Sequence, residues 1–222
     1  MATHFKIYIL IALSLALSAC SQTTAPTNSV NKLSLTAEYK NIVDDNVIKA
    51  AHQKHVADNG GLDGHYSINN RLEIIVQKIV KANGLNAKKI DVVLLKSDSV
   101  NAYSLSSKSR LAYVYVTRGL TEFISNEDQL AAVVAHEIAH IALGHHLKRQ
   151  KNSDSQFNQG QELEADRHSI KLLKNAGFKV GESIKLLERL DVLQAKQEFL
   201  NQADYPSNQR RIQSLYRVIA AI

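Results

Sequence analysis

Two histidines and a glutamate have a spacing that suits metal-dependent hydrolysis. In the segment Ala135-His136-Glu137-Ile138-Ala139-His140 the histidines stand four residues apart. On an α-helix these imidazoles project from one face and can bind one metal ion. The carboxylate of Glu137 projects beside them, where it can reach a water molecule held by the metal and remove a proton. The pattern therefore indicates a zinc site in which Glu137 is the general base.

A catalytic zinc ion normally has three protein ligands, so a third ligand is required. Glu162, Glu164 and Asp166 follow in a stretch with helical character that ends near Gly177. Glu162 and Asp166 share a helix face, while Glu164 lies on the other side. That spacing suits one carboxylate on the metal and another that accepts the outer N–H of a ligand histidine.

The alternative is a chance motif on a solvated surface helix. In a chain with nine histidines, a chance His-Glu-x-x-His has a probability on the order of a few per cent. The motif, however, lies within an apolar helical pattern, where His and Glu would be costly to bury without a partner such as a metal. Asn126 and Gln129 form a plausible capping box at the start of this helix. The context therefore favours the metal site.

Several segments in chain order carry a resemblance to a known family. They are Asn101-Ala102-Tyr103, Val116-Thr117-Arg118-Gly119-Leu120, the run from Asn126 into His-Glu-x-x-His, Glu162-x-x-x-Asp166 and Pro206-Ser207-x-x-x-Arg211-Ile212. The chain resembles the zinc metallopeptidases that include the bacterial heat-shock protease HtpX and the eukaryotic CAAX prenyl protease, in a lipoprotein branch without transmembrane helices. The resemblance implies one Zn²⁺ per chain, bound by His136, His140 and Glu162. It also implies that Glu137 is the base and that Asp166 supports a ligand histidine.

Two positions depart from the family pattern. Tyr103 runs into Ser104-Leu105-Ser106-Ser107, where the family often has a glycine-containing turn. Tyr205 precedes Pro206, where the family commonly has histidine, so Tyr205 either donates a hydrogen bond to the oxyanion or lies on a loop, and we favour the loop. By resemblance Arg211 approaches the active site, and the alternative is a surface salt bridge.

The predicted fold is a predominantly helical α+β, zincin-like metallopeptidase domain with a small sheet beside the active-site helix. Ile90–Leu95 and Leu111–Val116 are predicted strands. In the family the strand before the zinc helix pairs with the substrate backbone, so Tyr113, Val114, Tyr115 and Val116 are expected to form an exposed edge that binds an extended polypeptide. The alternative is an ordinary sheet edge.

The predicted helices cover most of the remaining chain. They run over residues 35–56, from Asn70 to Gly84, through the zinc motif, through Glu162, over 183–199 and over 208–221. His145, His146, Lys148, Arg149 and Lys151 are expected to form a solvated helix end. The alternative is a second metal site at the two histidines, which is less favoured because adjacent residues on a helix face different directions. The polar segment Asn152–Gln161 is expected to be a loop.

The N-terminal residues resemble a bacterial lipoprotein signal. Residues 1–19 combine an early Lys6 with an apolar run too short to span a membrane, and they end in Leu17-Ser18-Ala19-Cys20. We expect a signal peptide over 1–19, a lipidated Cys20 with a polar tether over 20–36, and the metallopeptidase domain over 37–222. The alternative is an unmodified Cys20. Cys20 is the one cysteine, so no disulfides are expected.

The sequence predicts a lipid-anchored zinc metalloendopeptidase that faces the periplasm at the outer membrane and hydrolyses misfolded or misassembled envelope proteins. The last step rests on the family resemblance. The net charge of +6 is scattered and no nucleic-acid module is visible. The alternatives are a chaperone-like assembly factor for outer-membrane proteins with a dormant zinc site, and a cell-wall peptide hydrolase.

Overall fold

The structure is a computed structural model that describes residues 37–108, 110–149, 154–195 and 206–222. The expected signal peptide, Cys20, the tether and Tyr205 lie outside these residues. The described elements are α1 (Ala37–Asp58), α2 (Tyr66–Ala82), β1 (Lys89–Leu95), β2 (Ala102–Ser106), β3 (Leu111–Thr117), α3 (Arg118–Phe123), α4 (Glu127–Ala142), α5 (His145–Arg149), α6 (Ser155–Asn175), α7 (Glu182–Ala195) and α8 (Asn208–Ala220). The predicted helical α+β fold is confirmed. None of the described helices is both long and apolar enough to cross a membrane.

The strands form one sheet in the order β1-β3-β2. β3 pairs in parallel with β1 and antiparallel with β2, so hydrogen-bonding partners flank it on both sides. The prediction that Tyr113, Val114, Tyr115 and Val116 form an exposed edge is therefore wrong. β2 takes the edge position instead, and no other strand of the described chain pairs with its outer side.

The two faces of the sheet pack against different helices because side chains alternate along a strand. Ala112, Val114 and Val116 belong to the main core with α2 and α4. Tyr103, Tyr113 and Tyr115 face the other way, where His52 of α1 stacks on Tyr113 with ring centroids 4.2 Å apart. The sheet is therefore covered on both faces.

Helix α4 is buried around nearly its whole circumference. It begins as predicted, because the side chain of Asn126 accepts a hydrogen bond of 2.9 Å from the backbone N–H of Gln129. Small residues such as Ala131, Ala135 and Ala139 let α6, α7 and the sheet pack closely around it. The zinc motif is thus held on a rigid central element.

The chain segment before β2 is fixed by Thr117 and Gly119. The hydroxyl of Thr117 accepts hydrogen bonds from the backbone N–H groups of Asn101 and Leu120, and so it links the start of β2 to the start of α3. A Cβ atom on Gly119 would collide with the backbone carbonyl groups of Asp98 and Ser99. The Asn-Ala-Tyr and Val-Thr-Arg-Gly-Leu motifs therefore form one packed unit.

Two predicted boundaries differ from the structure. α2 begins at Tyr66, four residues before Asn70. The predicted loop Asn152–Gln161 is wrong from Ser155 onward, because Asp154 accepts a hydrogen bond from Phe157 N–H and caps the start of α6. The early start adds two helical turns before Glu162.

Candidate metal centre

Three side chains from α4 and α6 converge in the interior. His136 Nε2 lies 3.1 Å from His140 Nε2 and 3.2 Å from Glu162 Oε2, and His140 Nε2 lies 3.5 Å from Glu162 Oε1. All three residues are at most 7% exposed. Among the described residues, these three side chains form the cluster that could hold a metal ion.

This arrangement fits a tetrahedral zinc ion. Ligand atoms bound at about 2.0–2.1 Å in a tetrahedron lie about 3.3 Å from one another, which is close to the separations found here. Two imidazoles and one carboxylate also form a typical ligand set of catalytic zinc sites. Glu164 and Asp166, the other two carboxylates considered as ligands, are not part of this group. Asp166 lies beside the outer nitrogen of His136, and Glu164 lies beside His145.

The outer nitrogen of His136 faces a buried ion pair. His136 Nδ1 lies 3.0 Å from Asp166 Oδ1. Arg211 of α8 donates from Nε to Asp166 Oδ2 at 2.8 Å and from Nη2 to Oδ1 at 2.7 Å. Arg211 is only 7% exposed, so the alternative of a surface salt bridge is wrong. Burial acts to raise the pKa of the Asp166 carboxyl, but Arg211 and His136 hold it well below its usual range.

The outer nitrogen of His140 meets a second histidine. His145 Nδ1 lies 2.9 Å from His140 Nδ1, and His145 Nε2 lies 3.2 Å from Glu164 Oε2. His145 is fully buried, so the predicted solvated helix end is wrong at this residue. Burial, followed by the nearby His140, lowers the pKa of His145 to about 4. The sequence signal for this arrangement is the glycine at position 144. Gly144 adopts a left-handed conformation after α4, and this turn brings α5 back toward the site.

The carboxylate of Glu137 is held by β2. Ser104 Oγ donates to Glu137 Oε2 at 2.9 Å and also lies 3.1 Å from His146 Nε2. Burial, followed by the charge of His140, lowers the pKa of His146 to about 3. Sequence reasoning missed Ser104 because it assigned no strand to this serine-rich segment. It also placed His146 in solvent.

The carboxylate of Glu162 has a cationic neighbour in Arg149. Arg149 donates from Nη2 to Glu162 Oε1 at 2.6 Å and from Nε to Gln161 Oε1 at 2.7 Å. Burial would raise the pKa of Glu162, but His140 and His136 hold it well below its usual value. Glu162 is thus poised in the charged form that binds metal. Its position beside Arg149 also contradicts the expected solvation of this part of α5.

Comparisons with known proteins agree with the resemblance. Residues 67–157 match the model of Peptidase family M48, which is less than half of the chain and ends before Glu162. The metalloprotease LoiP of Escherichia coli is 24% identical over 166 residues, covering 60% of this chain and 64% of LoiP. The protease HtpX homolog of Bacteroides fragilis is 30% identical over 73 residues, covering 33% of this chain and 22% of the relative. The chain thus spans less than two thirds of either relative, and the resemblance to HtpX-like zinc metallopeptidases is confirmed.

Proposed function

We propose that this chain is a zinc-dependent metalloendopeptidase, anchored by lipid in the bacterial envelope, that cleaves misfolded or misassembled envelope polypeptides. The observation that carries the proposal is the convergence of His136, His140 and Glu162, with the carboxylate of Glu137 held next to them. The match of the central segment to Peptidase family M48 supports the same reaction class.

In the proposed reaction, each side chain of the site has a separate role in peptide hydrolysis. Zinc bound by the three ligands would supply Lewis acidity, which polarises the scissile carbonyl and acidifies a water molecule. Glu137 accepts the proton of the attacking water and returns it to the leaving amine. Ser104 directs one carboxylate oxygen of Glu137 by donating to it, and the other oxygen is left for the proton transfer.

We assign substrate binding to the outer edge of β2, in place of β3. An extended polypeptide that adds there as a strand would form main-chain hydrogen bonds that depend little on side chains. Ser104 on this strand touches Glu137, so the bound backbone would pass directly beside the base. Such binding suits unfolded chains, whose backbone is free to pair.

The envelope location rests on the segment that ends in Leu17-Ser18-Ala19-Cys20. Acyl chains on Cys20 would anchor the chain stably, since each buried CH₂ contributes roughly 0.8 kcal/mol. Labelling cells with radioactive palmitate should mark the wild-type protein and leave Cys20→Ser unmarked. Equal labelling of both would overturn the anchor and leave the catalytic proposal intact.

The catalytic proposal is tested by metal analysis and digestion of casein. We expect about one zinc per purified chain. Casein should be cleaved, cleavage should stop with a chelator and return with zinc. Glu137→Gln should keep the zinc and lose at least about a hundredfold in rate, because it removes the base and keeps the ligands.

The same preparations distinguish the two alternatives. A peptidoglycan hydrolase would release peptides from purified cell wall and leave casein intact. An assembly factor would give cells in which Glu137→Gln complements a deletion as well as wild type does. Either result would overturn the endopeptidase assignment.

A further inference from the structure

We propose that His145 and Glu164 form a positioning pair that fixes the metal ligand His140 through a directed chain of hydrogen bonds. The proposal deepens the proposed function and rests on it, because it assigns two residues to the support of the zinc site. Neither residue is itself one of the three candidate metal ligands. Both act through the outer nitrogen of His140.

The direction of the chain follows from which nitrogen faces the metal. His140 Nε2 points toward His136 Nε2 and Glu162, so its lone pair must be free to bind the ion. The proton of the neutral ring is then on Nδ1, which donates to His145 Nδ1 at 2.9 Å. His145 must accept with Nδ1, and its own proton is therefore on Nε2, which donates to Glu164 Oε2 at 3.2 Å. Each atom in the series has one consistent role.

The geometry around His145 holds this series in place. The ring is fully buried and meets His140 edge to face, with centroids 4.9 Å apart and planes inclined by 72°. Glu164 is partly exposed, with 44% of its side-chain surface accessible. A partly exposed carboxylate oxygen can accept the hydrogen bond from Nε2–H while its other oxygen faces solvent.

The two ligand histidines thus have different supports. His136 faces Asp166, whose carboxylate is itself bound by Arg211 on both oxygens. His140 reaches a carboxylate only through a second imidazole, which α5 supplies. Outer partners of ligand histidines fix the tautomer and aim of the ring, and their loss typically costs 10–100-fold in metal affinity.

The variants are chosen to separate positioning from packing. His145→Ala removes the acceptor for His140, and Glu164→Ala removes the end of the series. His145→Asn restores an acceptor oxygen close to the position of Nδ1. His168→Ala is the control, because it removes an imidazole that lies one turn from Glu164 on α6. Among the described residues, no hydrogen bond joins that imidazole to His136, His140 or Glu162.

The readouts are the zinc dissociation constant, from competition with a chromophoric chelator, and the unfolding temperature of the metal-free protein. We expect His145→Ala and Glu164→Ala to weaken zinc binding by about 10–100-fold, His145→Asn to recover most of that loss, and His168→Ala to match wild type. The unfolding temperature of the metal-free Asn variant should equal that of the Ala variant within about 2 °C, which separates the recovery of affinity from stability.

The tautomers of the wild-type protein give a test that does not depend on folded variants. In ¹⁵N spectra of the zinc-loaded chain, His140 should carry its proton on Nδ1 and His145 on Nε2. The opposite tautomer of His145, or wild-type zinc affinity in both Ala variants, would overturn the pair. Zinc bound with the expected variant effects, but without cleavage of casein, would overturn the proposed function and leave the pair standing.

Discussion

At the residue scale, each group of the candidate site has its own buried supporting side chain. Asp166 and Arg211 stand behind His136, His145 behind His140, Arg149 beside Glu162 and Ser104 beside Glu137. The supports come from β2, α5, α6 and α8. Replacing one support should therefore affect one group selectively.

Ser104→Ala should lower kcat by about 10–100-fold with little change in KM or zinc content. The hydroxyl donates to the charged carboxylate of Glu137, and such a hydrogen bond contributes about 1.5–3 kcal/mol. Ser106→Ala is the matched control, because Ser106 lies on the same face of β2 and, within the described part of the chain, its hydroxyl donates only to the backbone of Ser107, at 3.4 Å. Steady-state hydrolysis of an unfolded substrate checks this, and equal kcat in both variants would contradict the role of Ser104.

Arg211→Met should destabilise the folded protein by about 3–5 kcal/mol, because it leaves the buried Asp166 carboxylate without its cation. Arg210→Met is the control, since Arg210 is exposed and reaches only Gln159 at 3.1 Å among the described residues. That variant should change stability by less than about 0.5 kcal/mol. Urea unfolding of both proteins measures the difference, and similar midpoints would refute it.

At the element scale, the long periodic helices and two apolar strands were readable from the sequence, and the edge of the sheet was not. The Asn126 cap and the apolar positions of α4 determine its start and its burial, so the zinc motif could be placed. β2 has serine at alternate positions, and its burial depends on α4 and β3, which a local pattern does not show. α5 is five residues long, and only the turn at Gly144 brings its polar side chains inward.

Helix α1 should dock on the sheet less firmly below pH 6.5. Burial lowers the pKa of both His52 and His55 from the ordinary 6.5, so the docked helix favours their neutral forms. Their contribution to stability is therefore complete above pH 6.5 and is lost progressively as the pH falls below that value. Melting curves at pH 7.5 and 5.0 should show a smaller drop for a His52→Gln/His55→Gln double variant than for wild type. An equal drop would contradict this docking argument.

At the scale of the whole molecule, the site exists only in the complete fold. Its residues extend along the chain from Ser104 to Arg211 and belong to five elements, α4 and the surrounding β2, α5, α6 and α8. Unfolding separates all of them, so the unfolded chain has no preformed site for a metal ion. A metal ion bound at this site would therefore be thermodynamically coupled to folding.

Removal of zinc should lower the unfolding temperature by about 5–10 °C relative to protein with free zinc at about a hundred times its dissociation constant. Zinc at that concentration adds about 2.7 kcal/mol to the free energy of unfolding. Calorimetry with and without chelator measures this shift. His140→Ala should show almost no shift, whereas His168→Ala should behave as wild type. A chelator effect that persists in His140→Ala would place the metal elsewhere.

The tight fit of Gly119 against the carbonyls of Asp98 and Ser99 makes catalysis sensitive to a position that carries no reactive group. A methyl group there must push the chain ahead of β2 aside, and β2 carries Ser104, which donates to the carboxylate of Glu137. Gly119→Ala should therefore slow turnover while the purified protein still retains its full complement of zinc. The added methyl group would then slow turnover by shifting Ser104 relative to the carboxylate of Glu137, without touching a metal ligand.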